Sequence, residues 1–367
     1  MGAFDGAFDT LRGDQVSSGF WGEHTSTIDW CENNYAHTPY IAETVNTLTN
    51  LPSILLGLYG FYAVVKNGLP TRFAFCYLGL SLIGIGSFGF HMSLRWEWQL
   101  MDELPMIYVV SYAAFLILET SPGLKLRYGV LGPGIMVLWD VFVTTSYIYL
   151  PNPVYHQIAF AIILITTTAR TAYLAFKLPP NHPSKVKIGK TMAWGVVTFA
   201  VGFAIWNVDN LFCPQLRMIR EHVGPLGVFV EVHNPMFRKW VSSSAANFTS
   251  LTPFRRCSSI PSTSFVPSRP HFALLPPRFI LFRPSVYFCL DRECPPTADK
   301  PFAAGHAYWH LMTGYGSFLI FTASILLHLC IKVSPDAYTF DEKAFFPVVY
   351  PLHSIDRKKV KENGHSR

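Results

Sequence analysis

The sequence predicts an all-α fold, a seven-transmembrane-helix bundle with a metal site in its core and an irregular insertion before the last helix. Three observations carry this. Half of the 367 residues are hydrophobic and only 14% are charged, whereas soluble domains carry about a quarter charged residues. Apolar runs recur along most of the chain, each near the ~20 residues that cross a bilayer as a helix. The ionisable side chains that interrupt these runs gather at matching ends instead of scattering.

The apolar runs lie near 41–65, 71–93, 103–119, 128–149, 154–177, 190–213 and 305–332. One such run could be a buried helix of a soluble protein; a whole series could not. A mean hydropathy of +0.26 agrees. The 15% aromatic content suits lipid-facing surface and interfacial belts. Residues 1–40 contain Asp, Glu and Gly where a cleavable signal peptide needs an apolar stretch. The first internal helix is therefore expected to start insertion. A net charge of +6 is modest, and no nucleic-acid partner is expected.

Basic residues in short loops set orientation. Lys66 and Arg72, Lys125 and Arg127, then Lys177, Lys185, Lys187 and Lys190 fall on one side, with Arg357 to Lys361 in the tail. The opposite connections hold only Arg95 or no base at all. The N-terminal segment, 1–40, is thus expected to be lumenal and the tail, 336–367, cytosolic. Helices one to six occupy 41–231, and 304–335 holds the seventh. Between them, 232–303 turns to Ser, Pro, Arg and Phe and is rich in base on the side that should lack it. A structureless stretch of this length inside a compact domain is suspect. It reads either as a disordered lumenal insertion, with Asn247-Phe248-Thr249 as a glycosylation acceptor, or as translated intron sequence. The second reading is favoured.

Ionisable groups within membrane spans mark functional sites. His306 and His310 stand four apart at the start of the last span, which puts both imidazoles on one helical face, as two ligands of one metal require. No Glu follows the first His, so this is not the HExxH pattern. His91 closes the second span at the same membrane depth. Three His ligands with a fourth position left open is the pattern of a catalytic zinc site; the plain alternative is interfacial histidines bonded to backbone. Ser87 lies one turn before His91, and Asp102, with Glu103 beside it, is expected to begin the third span. A carboxylate there can take a proton from a metal-activated water and return it to a leaving amine. The alternatives are a capping Asp and a Ser bonded to a carbonyl. Before the first span, Asp29-Trp30-Cys31-Glu32-Asn33-Asn34 and then Glu43 supply hard oxygen donors of the kind Ca²⁺ takes. A solvated acidic turn would look the same.

The seven Cys include no CxxC pair, so no zinc-ribbon or thioredoxin motif is present. Cys31, in the acidic segment, and Cys213, at the end of the sixth span, share the lumenal side by parity. Such a compartment permits disulfides, and these two are expected to bridge; the plain alternative is two free thiols that share a side.

The set Asp29-Trp30-Cys31-Glu32-x-Asn34-Tyr35 to Tyr40-Ile41-Ala42-Glu43, Gly86-Ser87-x-x-x-His91, Asp102-Glu103, Trp206-Asn207-Val208-Asp209-Asn210 and His306-x-x-x-His310 resembles the alkaline ceramidase family. The resemblance covers about 15–230 and 305–335. It implies a seven-helix fold that hydrolyses the amide of ceramide to a sphingoid base and a fatty acid. It implies zinc on His91, His306 and His310, with Ser87 stabilising the oxyanion and Asp102 as acid and base. It also implies a regulatory calcium on Asp29, Glu32, Asn34, Glu43 and the backbone carbonyl of Trp30. Similar proteins act in the endoplasmic reticulum or Golgi, and fungal ones favour phytoceramide or dihydroceramide. The family passes from near Glu231 almost directly into the last helix, so 232–303 is a departure from its pattern. The rival readings are a seven-helix hydrolase or receptor of the progestin and adiponectin receptor type, against which the acidic segment argues, and a non-enzymatic receptor or transporter.

Overall fold

Runs of apolar residues long enough to cross a bilayer must close their backbone hydrogen bonds internally, and helices do so. In the computed structural model, described here for residues 18–119, 126, 128–213, 216, 305–334 and 337–352, they are helices. The expectations for 232–303 fall outside the described residues, as do those for 1–17 and for the end of the tail. Among the described residues, 7 spans are long and apolar enough to cross a membrane. The all-α prediction is borne out, and the chain is an integral membrane protein.

The first span, Thr44–Lys66, is two pieces, α1 (Thr44–Leu48) and α2 (Leu51–Lys66). Pro52 has no N–H to give back to Leu48, which explains the break. Then come α3 (Ala74–Ser93), α4 (Trp96–Leu118), α5 (Leu131–Tyr149), α6 (Pro153–Lys177), α7 (Lys185–Leu211) and α8 (Gly305–Lys332). Two short hairpins flank the bundle, β1 (Ser18–Gly19) with β2 (Gly22–Glu23) and β3 (Tyr338–Thr339) with β4 (Tyr350–Pro351).

The centre consists of α3 and α8, each 67% buried over its apolar window, whereas α5 and α6 are each 11% buried. Leu131, Ile135 and Leu138 of α5 and Ile158, Ile162 and Ile165 of α6 point outward, as lipid-facing positions do. Small residues let the central helices approach closely. A Cβ on Gly195 of α7 would sit 2.8 Å from the Gly316 carbonyl oxygen of α8, and the reverse contact is also 2.8 Å. At Gly86 of α3 a Cβ would run into the Met101 carbonyl of α4. Pro105 lies inside α4 and, lacking an N–H, cannot bond that carbonyl. The pair Gly86 and Pro105 thus presses α3 and α4 together beside Ser87 and Asp102.

Two span starts and the tail differ from the sequence reading. The third span starts at Trp96, not 103, so Asp102 lies inside α4 and is not a helix cap. Trp96-Glu97-Trp98-Gln99 is too polar to be counted as membrane sequence, yet it continues the helix. The sixth span starts at Lys185, so Lys185, Lys187 and Lys190 lie in its first turns instead of a loop. Their long stems let the ammonium groups reach polar partners at the bundle's end. Lys185 Nζ donates to the Leu178 carbonyl (2.6 Å) and Lys187 Nζ to Thr339 Oγ1 (3.1 Å). In the segment expected as a tail, 337–352 fold back onto the helices. There Asn67 Nδ2 bonds the Val349 carbonyl (2.8 Å) and Tyr315 the Phe345 carbonyl (2.9 Å).

Candidate metal centre and active site

His91 lies in the last turn of α3, and His306 and His310 lie in the first turns of α8. Because α3 and α8 run antiparallel in the centre, these turns meet at one end of the bundle. All three rings are buried, and each offers a nitrogen within 4.8 Å of the other two. The Nε2 atoms of His91 and His306 are 3.2 Å apart. The outward nitrogens fix two of the rings. His91 Nδ1 bonds the Glu43 carboxylate, and His310 Nδ1 lies 3.0 Å from Thr49 Oγ1. Such partners orient imidazoles that bind a metal and set which nitrogen faces it. His306 is held differently, by Trp30, whose ring stacks on it at 4.0 Å. The donor set can hold a metal ion.

Ser87, buried on α3, places Oγ 3.4 Å from His310 Nε2. Its other neighbour is the Asp102 carboxylate, which interacts with the Ser87 hydroxyl across the α3–α4 approach at Gly86. The structure therefore brings Ser87, Asp102 and the three histidines into one cluster.

The acidic segment reaches this cluster through backbone pairing. Ala42 N and Glu43 N donate to the Met92 and His91 carbonyls, both at 2.9 Å. Glu43 is fully buried and receives Trp30 N and Asn46 Nδ2, both at 3.2 Å. Glu32 accepts Val45 N (2.7 Å) and Asn46 N (2.9 Å), capping α1. Asn34 Nδ2 donates to Asp29 at 3.1 and 3.2 Å. Burial first, then the Asp29 and Glu32 charges, push the Glu43 carboxyl well above the usual carboxylate range. The three carboxylates are thus near enough for Asp29 and Glu32 to act on Glu43 through their charges. Trp30 is placed among them by its N–H to Glu43. The segment is tied to the end of α7 by a disulfide between Cys31 and Cys213, whose Cα atoms are 5.5 Å apart.

A family model described as ceramidase matches residues 22–236, more than half of the chain. The chain belongs to the alkaline ceramidase family. Alkaline ceramidase 3 of Mus musculus is 36% identical over 219 residues, covering 59% of this chain and 78% of its own length. An alkaline ceramidase of Saccharomyces cerevisiae is 36% identical over 229 residues, with 59% and 72% covered. One of Arabidopsis thaliana is 30% identical over 203 residues, with 55% and 76% covered. The expectation of a ceramidase hydrolase is borne out over the receptor and transporter readings. The family match ends before His306 and His310, so the geometry, not the match, joins these two to His91.

Several residues of this candidate site were not legible in the sequence. Thr49 behind His310 and Ser53, which donates to the His310 carbonyl at 3.2 Å, gave no sequence signal. In the sequence Glu103 stands out only as a neighbour of Asp102. It accepts from Tyr147 OH and from Gln99 Nε2 (3.3 Å). Gln99 also holds Thr27 by two bonds, both 2.8 Å, and His156 Nε2 bonds the Glu103 carbonyl at 2.8 Å. This buried network seats α4, and with it Asp102, against α5, α6 and the segment leading to Asp29. Ionisable groups inside apolar spans were the available signal for Glu103, His156 and Asp209.

Proposed function

We propose that the chain hydrolyses the amide bond of ceramide, of the phytoceramide and dihydroceramide type, to a sphingoid base and a free fatty acid. Zinc on His91, His306 and His310 would be its catalytic metal and calcium on the acidic segment its regulator. The observation that carries this reading is the convergence of three buried imidazoles with Ser87 at one end of an alkaline ceramidase bundle. The three histidine donors, with the outer nitrogens of His91 and His310 held by Glu43 and Thr49, fit zinc. When bound, zinc supplies Lewis-acid polarisation of a carbonyl and a lowered pKa for water.

The protein's own groups do the rest. Asp102, facing Ser87, takes the proton of the attacking water and delivers it to the leaving nitrogen, which departs as the amine of the sphingoid base. The Ser87 hydroxyl donates to the developing oxyanion. Burial of the cluster excludes bulk water, which strengthens each of these interactions. A ceramide substrate would reach this cluster from the bilayer, against which the exposed apolar side chains of the helices lie. We place the site on the lumenal side of an endoplasmic reticulum or Golgi membrane, with the C-terminus cytosolic, because the basic loops lie at the other end. The test is product analysis with ceramides that differ in base. Release of free base and fatty acid in equal amounts, fastest for phytoceramide or dihydroceramide, is expected; no release from any ceramide would overturn the reading.

Calcium control follows from Glu43, which touches both the acidic segment and His91. Calcium is expected to raise activity in the wild type. Asp29→Asn should shift the response to higher calcium, and Glu43→Ala should remove it. An unchanged calcium response in Glu43→Ala, measured as activity against free calcium, contradicts the coupling.

The Cys31–Cys213 bridge closes a loop with a sequence separation of 182. Its loss removes the entropic restraint on the unfolded chain, roughly 2–4 kcal/mol in typical cases. Cys213→Ser should therefore unfold at lower temperature and lose activity sooner on heating. Peptide mapping without reduction checks the bridge itself. Both thiols freely alkylated in protein taken from the membrane would contradict it.

A further inference from the structure

The first turns of α8 carry His306 and His310, so whatever fixes the start of α8 fixes these donors. A helix begins with N–H groups that have no partner inside the helix, and a carboxylate at that end also meets the positive pole of the helix dipole. At α8 the carboxylate comes from another helix. Asp209, near the end of α7 and 2% exposed, accepts Gly305 N through Oδ1 (3.1 Å) and His306 N through Oδ2 (3.3 Å). One of the two amides belongs to a metal-binding residue. Gly305 is part of the fit, since a Cβ there would lie 2.9 Å from both Cβ and Oδ1 of Asp209. A charge at this position in an apolar span is costly unless it has a role, and Asp209 is not among the residues that face the reacting atoms.

We infer that Asp209 is a positioning residue for the metal site: its carboxylate grips the Gly305 and His306 amides and holds the first turn of α8 where His306 and His310 can share an ion with His91. This rests on the metal reading above. Asn keeps one acceptor oxygen where Asp has two, and Ala keeps none. The expected order of metal affinity is therefore wild type, then Asp209→Asn, then Asp209→Ala.

The experiment uses the full chain in lipid, stripped of metal and titrated with zinc against a chromogenic chelator. Hydrogen exchange at the Gly305 and His306 amides is followed in parallel, in peptides that start upstream of Gly305. Asp209→Ala should bind zinc roughly 10–100-fold more weakly, as loss of an outer-shell partner of a metal ligand does. The amides at the start of α8 should exchange faster, and excess zinc should restore most of kcat with little change in KM. Gly195→Ala is the control, because its Cβ would strain the same α7–α8 pair away from the histidines. If Gly195→Ala weakens zinc binding as much as Asp209→Ala does, the role is merely structural and the inference falls. If Asp209→Ala binds zinc as tightly as wild type, the inference falls alone. A wild type that binds no zinc overturns the metal reading and this inference together.

Discussion

His310→Ala is expected to abolish ceramide hydrolysis and to lower bound metal together. His310 is held from behind by Thr49 and faces Ser87 with Nε2 at 3.4 Å, so it links the donor set to the proposed oxyanion donor. Truncation to Ala leaves two imidazoles and a void. Metal assistance contributes several kcal/mol to such a reaction, and each 1.36 kcal/mol is tenfold in rate. The expected loss is therefore roughly 10³-fold or more. His91→Ala and His306→Ala should fall as far, and double variants no further, because the three act as one unit. Product release and metal analysis on the same preparations check this. Full activity in a metal-free His310→Ala protein would contradict it.

Asp102→Asn should show the opposite combination, with activity lost and metal retained. Asn fills the same space beside Ser87 but cannot accept and return a proton. General acid and base groups typically contribute roughly 10²–10⁴-fold, and the loss should fall on kcat. Asp102 holds no nitrogen donor of the cluster, so metal content should match wild type. A variant that loses its metal as well would make Asp102 a positioning residue for the centre, not its proton carrier.

The contrast between these residues shows what the chain discloses on its own. Span length and hydropathy located each of the 7 spans among the described residues, because the bilayer imposes a length that composition cannot hide. Parity along the chain then put His91 and His306 at one depth, and the fourfold spacing put His310 beside them. That reasoning fails where one element depends on another. The start of α4 was misplaced because Glu97 and Gln99 look like loop residues until the Thr27 pair that satisfies Gln99 is known. Thr49 behind His310 and Asp209 at the start of α8 join residues separated by 261 and by 96 or 97 positions. No local pattern reports such pairs. Glu32 is similar, read as an oxygen donor on composition and found also to cap α1 through two backbone amides.

In the proposed mechanism one zinc on three histidines drives cleavage of the ceramide amide. The most direct measurement is release of free sphingoid base by the purified full chain, stripped of metal and then titrated with zinc. Negligible release without metal, a linear rise with added zinc, and saturation at one equivalent per chain are expected. Undiminished release from the metal-free protein would contradict it.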